Sequence, residues 1–141
     1  MRPGLTLAEL LLTCTLIGLA AGIAVPRAGA ALDALRLEQA AHEVAGAVTL
    51  ARAAAIRRGA YADLIIDDAR GALRVVSGGD TLLARDLHAM HRVALHASRD
   101  TITYAPNGLG WGIANSTIVV AIGARAETVT VSRLGRLRRS W

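Results

Sequence analysis

A run of 21 residues from Leu5 to Val25 contains a single charged side chain, that of Glu9. As a helix rising about 1.5 Å per residue the run would be about 31 Å long, which matches the hydrocarbon core of a membrane. A carboxylate at that depth costs about 2.5–3.5 kcal/mol on insertion scales. The run therefore predicts a membrane-spanning helix whose charge needs an explanation beyond anchoring.

Two simpler interpretations leave features of this run unexplained. A secretory signal peptide has an apolar core of about 7–15 residues before a small-residue cleavage site. Ala28-Gly29-Ala30 resembles such a site, but the apolar run is longer and carries Glu9 near its start. A simple membrane anchor fits the length of the run, but it does not explain why the free-energy cost of placing the Glu9 carboxylate in the membrane is tolerated.

The composition restricts the rest of the chain to one small domain. Its 141 residues leave room for a single compact domain beside the apolar run. Phe is absent and Trp and Tyr number two each, so the core must be built from Ala, Val, Leu and Ile. A net charge of +5 favours anionic partners without naming one. The single cysteine, Cys14, lies in the apolar run as a small filler and can form no intrachain disulfide.

A second helical segment follows Pro26. No proline occurs from Ala28 to Arg58. Within it one apolar stripe recurs at spacings of three and four, formed by Leu37, Ala41, Val44, Val48, Ala51 and Ala55. Gly59 after Arg57-Arg58 predicts a helix end with a left-handed cap. Pro26 predicts a kink or a locally melted turn, so we expect one interrupted helix of roughly 50 residues.

Beyond Gly59 we expect seven short strands. The candidate segments are Tyr61–Ile66, Ala72–Ser77, Thr81–Leu87, Arg92–His96, Thr101–Tyr104, Thr117–Ile122 and Thr128–Leu134. Turn residues such as Gly78-Gly79-Asp80 and Pro106-Asn107-Gly108 separate them. This order predicts an α+β fold, in which a long N-terminal helix, transmembrane in its first half and amphipathic in its second, packs on an antiparallel β-sheet domain.

The residues around Glu9 resemble the N-terminal signal of type IV prepilins and pseudopilins. The matching stretch is Gly4-Leu5-Thr6-Leu7-Ala8-Glu9, after a short basic leader and before an apolar run that ends at Pro26. The resemblance implies that a prepilin peptidase cleaves after Gly4 and methylates the new N-terminal Leu5. It also implies a pilin-like fold and other pilins or pseudopilins as partners. Leu5 and Ala8 depart from the family, which usually has Phe and a larger aliphatic residue there.

Such processing would give Glu9 a physical role. Cleavage exposes an α-amine whose ordinary pKa is about 7.7–8.0. In the low dielectric of a membrane, that amine and the Glu9 carboxylate of a neighbouring subunit attract each other and offset the cost of burial. The resemblance therefore implies a role in filament assembly for Glu9 and Pro26.

Later segments narrow the resemblance to minor pilins of the GspH and FimT type. These segments are Leu50–Arg52, Ala55–Gly59, Ile102–Gly108, Thr117–Val120 and Val129–Arg136. The implied organisation is a leader peptide at 1–4, a transmembrane helix at 5–27, an amphipathic helix at 28–59 and a periplasmic β domain with a basic tail at 60–141. GspH-type members sit in the tip complex of the type II secretion pseudopilus. FimT-like members belong to type IV pili, and some bind DNA during natural transformation.

The C-terminal segment SRLGRLRRSW is the strongest candidate site. It carries four arginines and no acidic residue: Arg133, Arg136, Arg138 and Arg139. Guanidinium groups bind phosphate oxygens and release counterions, which gives sequence-independent binding. Gly135-Arg136-Leu137-Arg138 fits the GRxR pattern of DNA-binding FimT-like pilins, which implies contacts to double-stranded DNA from Arg136 and Arg138. To these we add Arg133, Arg139 and a stacking Trp141; the alternative is a solvated tail or a contact to acidic neighbours in the filament.

The histidines and acidic pairs predict no metal or cofactor site. On a strand, His88 and His91 would point to opposite faces, and no cysteine or close acid pair completes a ligand set with His96. Asp67-Asp68 lacks the ligand spacing of a calcium loop and predicts a turn.

The remaining motifs do not indicate an enzyme. Gly108–Gly112 is glycine-rich but lacks the Lys-Ser/Thr of a phosphate-binding loop, so we expect a flexible loop that presents Trp111. No nucleophile, base and orienting group stand together in the sequence.

The sequence therefore predicts a FimT-like minor pilin in a type IV pilus. We expect a single inner-membrane span, a periplasmic C-terminal domain, a position near the filament tip and DNA uptake through the arginine-rich C-terminus. The second interpretation is a GspH-like pseudopilin of a type II secretion system that acts through protein contacts. The third, a membrane-anchored enzyme, would require a deep polar cleft.

Overall fold

The computed structural model describes residues 6–112 and 115–140. The chain divides into two compact units, residues 1–34 and 35–141. Helix α1 (Leu7–Arg58) contributes to both. Gly4, Leu5 and Trp141, which the sequence analysis assigned to processing and to stacking, lie outside the described residues.

In the first unit, helix α1 begins with a capping box. The Thr6 N–H donates to Glu9 Oε2 at 2.9 Å, and the Glu9 N–H donates to Thr6 Oγ1 at 3.3 Å. The helix continues through Pro26, so local melting, one of the two outcomes predicted for that residue, is wrong. Its leucines and isoleucines are exposed here, and α1 is long and apolar enough to cross a membrane.

In the second unit, the predicted apolar stripe of α1 is confirmed. All six of its residues are buried, together with Ala40, Ala47 and Ala54. Gly59 adopts φ +61°, and the Ala60 N–H donates to the Ala55 carbonyl at 3.3 Å. This left-handed cap ends the helix as predicted, because glycine reaches positive φ without a Cβ penalty.

Among the described residues, eight strands form two antiparallel sheets. They are β1 (Ala62–Asp67), β2 (Ala72–Ser77), β3 (Asp80–Asp86), β4 (Ala94–Ala97), β5 (Thr101–Tyr104), β6 (Ser116–Ile122), β7 (Arg125–Val131) and β8 (Leu137–Ser140). One sheet has the order β3-β2-β1-β5 and the other β4-β6-β7-β8. Alternate strand residues join the buried side of α1 in one apolar core, which confirms the predicted α+β fold of a long helix packed on antiparallel strands.

The structure contains two elements that the sequence did not predict. His88 and His91, which lie between the strands predicted at Thr81–Leu87 and Arg92–His96, belong to a short helix, α2 (Leu87–His91). Asp86 caps this helix by accepting the Ala89 N–H at 2.8 Å, which stops the preceding strand. The expected basic tail contains an additional strand, β8, which pairs with β7 from Val131↔Leu137 to Thr128↔Ser140.

Candidate nucleic-acid interface at the last hairpin

The turn between β7 and β8 is closed by hydrogen bonds between its own residues. The Ser132 N–H donates to the Arg136 carbonyl at 3.0 Å, and the Gly135 N–H donates to the Ser132 carbonyl at 2.8 Å. Ser132 Oγ also accepts the Arg136 N–H at 3.1 Å. Gly135 has φ +74°, a backbone conformation that residues with a Cβ adopt only at a cost in conformational energy. The GRxR segment is thus a defined turn that leads into a strand.

Arg52 of helix α1 lies against this turn. A Cβ placed on Gly135 would come within 2.9 Å of Arg52 Cδ and 3.0 Å of its Nε. The same Nε donates to the Gly108 carbonyl at 2.9 Å. The Arg52 side chain therefore connects the helix to both the turn and the loop before β6. In the sequence, Arg52 stood out only as part of the family-like segment Leu50–Arg52, which did not indicate this role.

Three of the four predicted arginines are exposed on the hairpin. Arg133 and Arg136 belong to the turn, and Arg138 is one of two outward-facing residues of β8, with Ser140. Within residues 6–112 and 115–140, no carboxylate forms an ion pair with any of the three. Since no acidic residue occurs between Thr128 and Ser140, this surface has a positive potential that attracts anions.

The fourth arginine, Arg139, points to the opposite side of β8. It stands across from the buried Val129, and its Nε donates to Glu127 Oε1 at 2.5 Å. Its Nη1 lies 3.0 Å from His42 Nε2 on α1. The hydrogen bond to Glu127, which is fully buried, raises the pKa of Arg139 above its usual value. Arg139 therefore fixes β8 to the domain, and the structure separates it from the other three arginines.

The glycine-rich loop lies directly beside the turn. The Gly110 N–H donates to the Arg133 carbonyl at 2.8 Å, and the Trp111 N–H donates to the Thr103 carbonyl at 2.8 Å. The Trp111 ring packs on that of Tyr61, with centroids 5.4 Å apart and an interplanar angle of 70°. Both rings remain largely exposed, at 61% for Trp111 and 47% for Tyr61.

Tyr104 lies buried under the same region. Its hydroxyl has no hydrogen-bond partner among the described residues. Burial raises the pKa of this hydroxyl, and the nearby positive charge of Arg52 opposes that rise.

The histidines occupy separate places. His91 Nε2 lies 2.8 Å from Glu43 Oε1 on α1, and His96 Nδ1 lies 3.0 Å from Asp68 Oδ2. His88 Nδ1 lies 3.1 Å from the Val93 carbonyl. In the part of the chain that the structure describes, no three His, Cys, Asp or Glu side chains are placed to share a metal ion. Asp67 ends β1 and accepts the Arg70 N–H at 3.0 Å, and Asp68 begins the turn that follows and accepts the Ala97 N–H of β4 at 3.1 Å.

Comparisons with known proteins agree on one family. A family model described as "Type II transport protein GspH" matches residues 40–135. The pilin-like protein PilA1 of Thermus thermophilus is 31% identical, with 97% of each chain covered. The minor pilin FimU of Pseudomonas aeruginosa superposes with a TM-score of 0.61 at 15% identity, covering 74% of this chain and 92% of FimU.

The minor pseudopilin EpsH of the Vibrio cholerae type 2 secretion system shows the same fold. It superposes with a TM-score of 0.60 at 14% identity, covering 74% of this chain and 96% of EpsH. At such identities the two structures support the fold alone, whereas the family model and PilA1 extend over most of the sequence. The chain belongs to the GspH family of type IV minor pilins and type II secretion pseudopilins, which are structural subunits of filaments.

Proposed function

We propose that this chain is a FimT-like minor pilin that captures double-stranded DNA with Arg133, Arg136 and Arg138. The observation that carries the proposal is the exposure of three guanidinium groups on one hairpin without a carboxylate paired to them in the described chain. Arg139 does not belong to this set because its guanidinium group is already hydrogen-bonded to Glu127 and lies against His42.

The proposed mechanism is electrostatic capture of the phosphate backbone. Guanidinium groups form bidentate hydrogen bonds with phosphate oxygens, and they release the counterions condensed on the DNA. The closed turn holds Arg133 and Arg136 on its surface, and pairing of β8 with β7 directs Arg138 outward. Such contacts carry no base readout, so we expect binding that depends on salt and not on sequence.

We also propose that the N-terminal segment directs assembly in the inner membrane. Cleavage after Gly4 by a prepilin peptidase, followed by methylation of Leu5, would leave one membrane span and a periplasmic domain. The Glu9 carboxylate would then pair with the α-amine of a neighbouring subunit. The capping box supports this role, because it holds Glu9 at the start of the helix, close to where the new terminus would lie.

DNA binding by the full chain in a non-ionic detergent tests the proposal. Fluorescence anisotropy with a duplex should show affinity that falls steeply with salt. An Arg136→Ala, Arg138→Ala double variant should lose at least about tenfold in affinity and lower the log–log salt slope by about 1.8, since two phosphate contacts disappear.

A variant with the same loss of charge serves as the control. Arg74→Ala, Arg125→Ala removes two exposed arginines that lie outside the turn, on β2 and at the start of β7. It should change the affinity only a few-fold. Equal losses in the two double variants would show that net charge alone attracts DNA, and no binding by the wild type at low salt would end the proposal.

A GspH-like pseudopilin that works through protein contacts is the second candidate. The family model favours it by its description, and β8 at the edge of its sheet offers free backbone groups to a neighbouring strand. In that case the Arg136→Ala, Arg138→Ala variant should lose co-purification with other minor pseudopilins while the wild type binds no DNA.

A further inference from the structure

We propose that the Trp111–Tyr61 pair stacks on an unpaired nucleobase while the adjacent arginines hold its phosphates, so that the surface binds single-stranded DNA more tightly than duplex. This inference rests on the proposed capture of duplex DNA by the three arginines and adds a second ligand, single-stranded DNA, which the same surface binds more tightly because it also stacks a base. The sequence analysis assigned Trp111 only to an exposed loop.

Hydrogen bonds place the indole next to the basic turn. The Gly110 N–H is bonded to the Arg133 carbonyl at 2.8 Å, and Trp111 is the next residue. From standard backbone dimensions the Cα atoms of Trp111 and Arg133 are then no more than about 10 Å apart. An indole and a guanidinium group on such neighbours can reach one nucleotide together.

The aromatic pair has a free surface on which a base can stack. At an interplanar angle of 70°, the edge of one ring meets the face of the other, so the contact covers at most one face of the indole. With 61% of Trp111 exposed, an open face is available to a flat ligand. The Trp111 N–H is bonded to the Thr103 carbonyl, which fixes the backbone that carries the ring.

The form of the nucleic acid follows from the chemistry of this surface. In a duplex the faces of the bases are covered by their neighbours, so an aromatic side chain reaches them only by unstacking a step. In a single strand the faces are free, and aromatic rings beside basic groups are the usual means of binding it without sequence preference. An exposed aromatic pair beside three exposed arginines fits the second case.

Two labelled probes test this inference with the full chain in non-ionic detergent: a 20-nucleotide oligo-dT and a 20-base-pair duplex. We expect Trp111→Ala to weaken oligo-dT binding by about 5- to 140-fold, the range for loss of one stacked base. Duplex affinity and the salt slope should stay unchanged, because no phosphate contact is lost. Trp111→Phe should recover most of the single-strand affinity.

Tryptophan emission supplies a second readout. In a Trp141→Phe background Trp111 is the remaining tryptophan, and oligo-dT should quench its emission while the duplex should not. Unchanged oligo-dT affinity in Trp111→Ala, or an equal loss for both probes, overturns the stacking inference and leaves the phosphate contacts intact. If the wild type binds neither probe, the proposed function fails with it.

Discussion

At the scale of single residues, Arg52 explains why the turn before β8 requires glycine. Its side chain occupies the space where a Cβ on Gly135 would lie, and its Nε is bonded to the Gly108 carbonyl. Arg52 is flexible enough to move aside, but moving breaks that hydrogen bond. The loss of stability caused by a side chain at position 135 therefore has two parts. One is the strain of a positive φ, and the other is the steric contact with Arg52.

The two parts can be separated by a matched pair of variants. Gly123→Ala shares the positive φ, +57° against +74°, but nothing lies within 4 Å of its Cβ. It should lose about 1–2 kcal/mol of stability from the backbone alone, and Gly135→Ala about 1 kcal/mol more. Chemical denaturation measures both. In an Arg52→Ala background the excess should vanish, and an excess that persists there would contradict the role of Arg52.

Tyr104 predicts a loss of stability in strong alkali. Burial raises the pKa of its hydroxyl, so the unfolded chain releases this proton near its ordinary value of about 10 while the folded chain still holds it. Between the two pKa values the unfolded state binds fewer protons, so the free energy of unfolding falls as pH rises. Below about pH 10 the effect is absent.

Replacing the hydroxyl tests this directly. Tyr104→Phe should flatten the fall in stability above about pH 10. At neutral pH it should be neutral or stabilising by up to about 1 kcal/mol, since it removes a buried hydroxyl without a partner. Parallel alkaline slopes for wild type and Tyr104→Phe would refute the assignment.

At the scale of elements, most strands could be predicted from the sequence because their apolar residues alternate. Strands β2 and β5 have the predicted bounds, and β1, β3, β4 and β6 differ by one or two residues. Strand β7 begins and ends three residues before the predicted Thr128–Leu134. In contrast β8 has a single apolar residue, Leu137, and its other inward residue is Arg139. The partner that allows Arg139 to point inward is Glu127 on β7, and no local pattern indicates that pairing.

The short helix α2 was not predicted from the sequence, for a different reason. Its five residues are too few to show a helical period, and its start depends on the Asp86 cap. At the candidate site, Arg136 and Arg138 are exposed, and their contact with DNA stays a prediction. The neighbours Arg52 and Trp111 come from distant segments, and only the folded chain brings them to the turn.

The Glu127–Arg139 pair predicts that strand β8 depends on one buried contact. Arg139→Ala would leave the fully buried Glu127 carboxylate without its partner, at a cost of at least about 2 kcal/mol. Hydrogen exchange of the β8 amides should accelerate strongly. Arg138→Ala, the outward neighbour, should change stability by less than about 0.5 kcal/mol. Similar exchange in the two variants would show that the pair does not secure the strand.

At the scale of the whole molecule, Glu9 predicts a separation between membrane insertion and filament assembly. Glu9→Gln keeps a residue able to complete the capping box and removes the charge. It should leave the amount of membrane-bound protein unchanged and abolish incorporation into filaments, as measured by recovery in sheared pilus or pseudopilus fractions.

A second variant of the box controls for helix capping. Thr6→Ala removes the cap and keeps the charge, so it should reduce incorporation far less than Glu9→Gln does. Normal incorporation of Glu9→Gln would mean that the carboxylate acts only within its own helix.

The contact of Arg52 with two glycines also bears on how such sequences can diverge. A Cβ at position 108 would meet Ile56 at 2.7 Å and Arg52 at 3.4 Å, and one at position 135 would meet Arg52 at 2.9 Å. At position 135 the short contacts are all with Arg52, so a lineage that shortens the side chain at position 52 is released from the steric part of that constraint. At position 108 the short contact is with Ile56, whereas Arg52 is at an ordinary van der Waals distance, so the constraint there follows position 56. Positions 52 and 135 should therefore covary across descendants of a common ancestor, and so should positions 56 and 108.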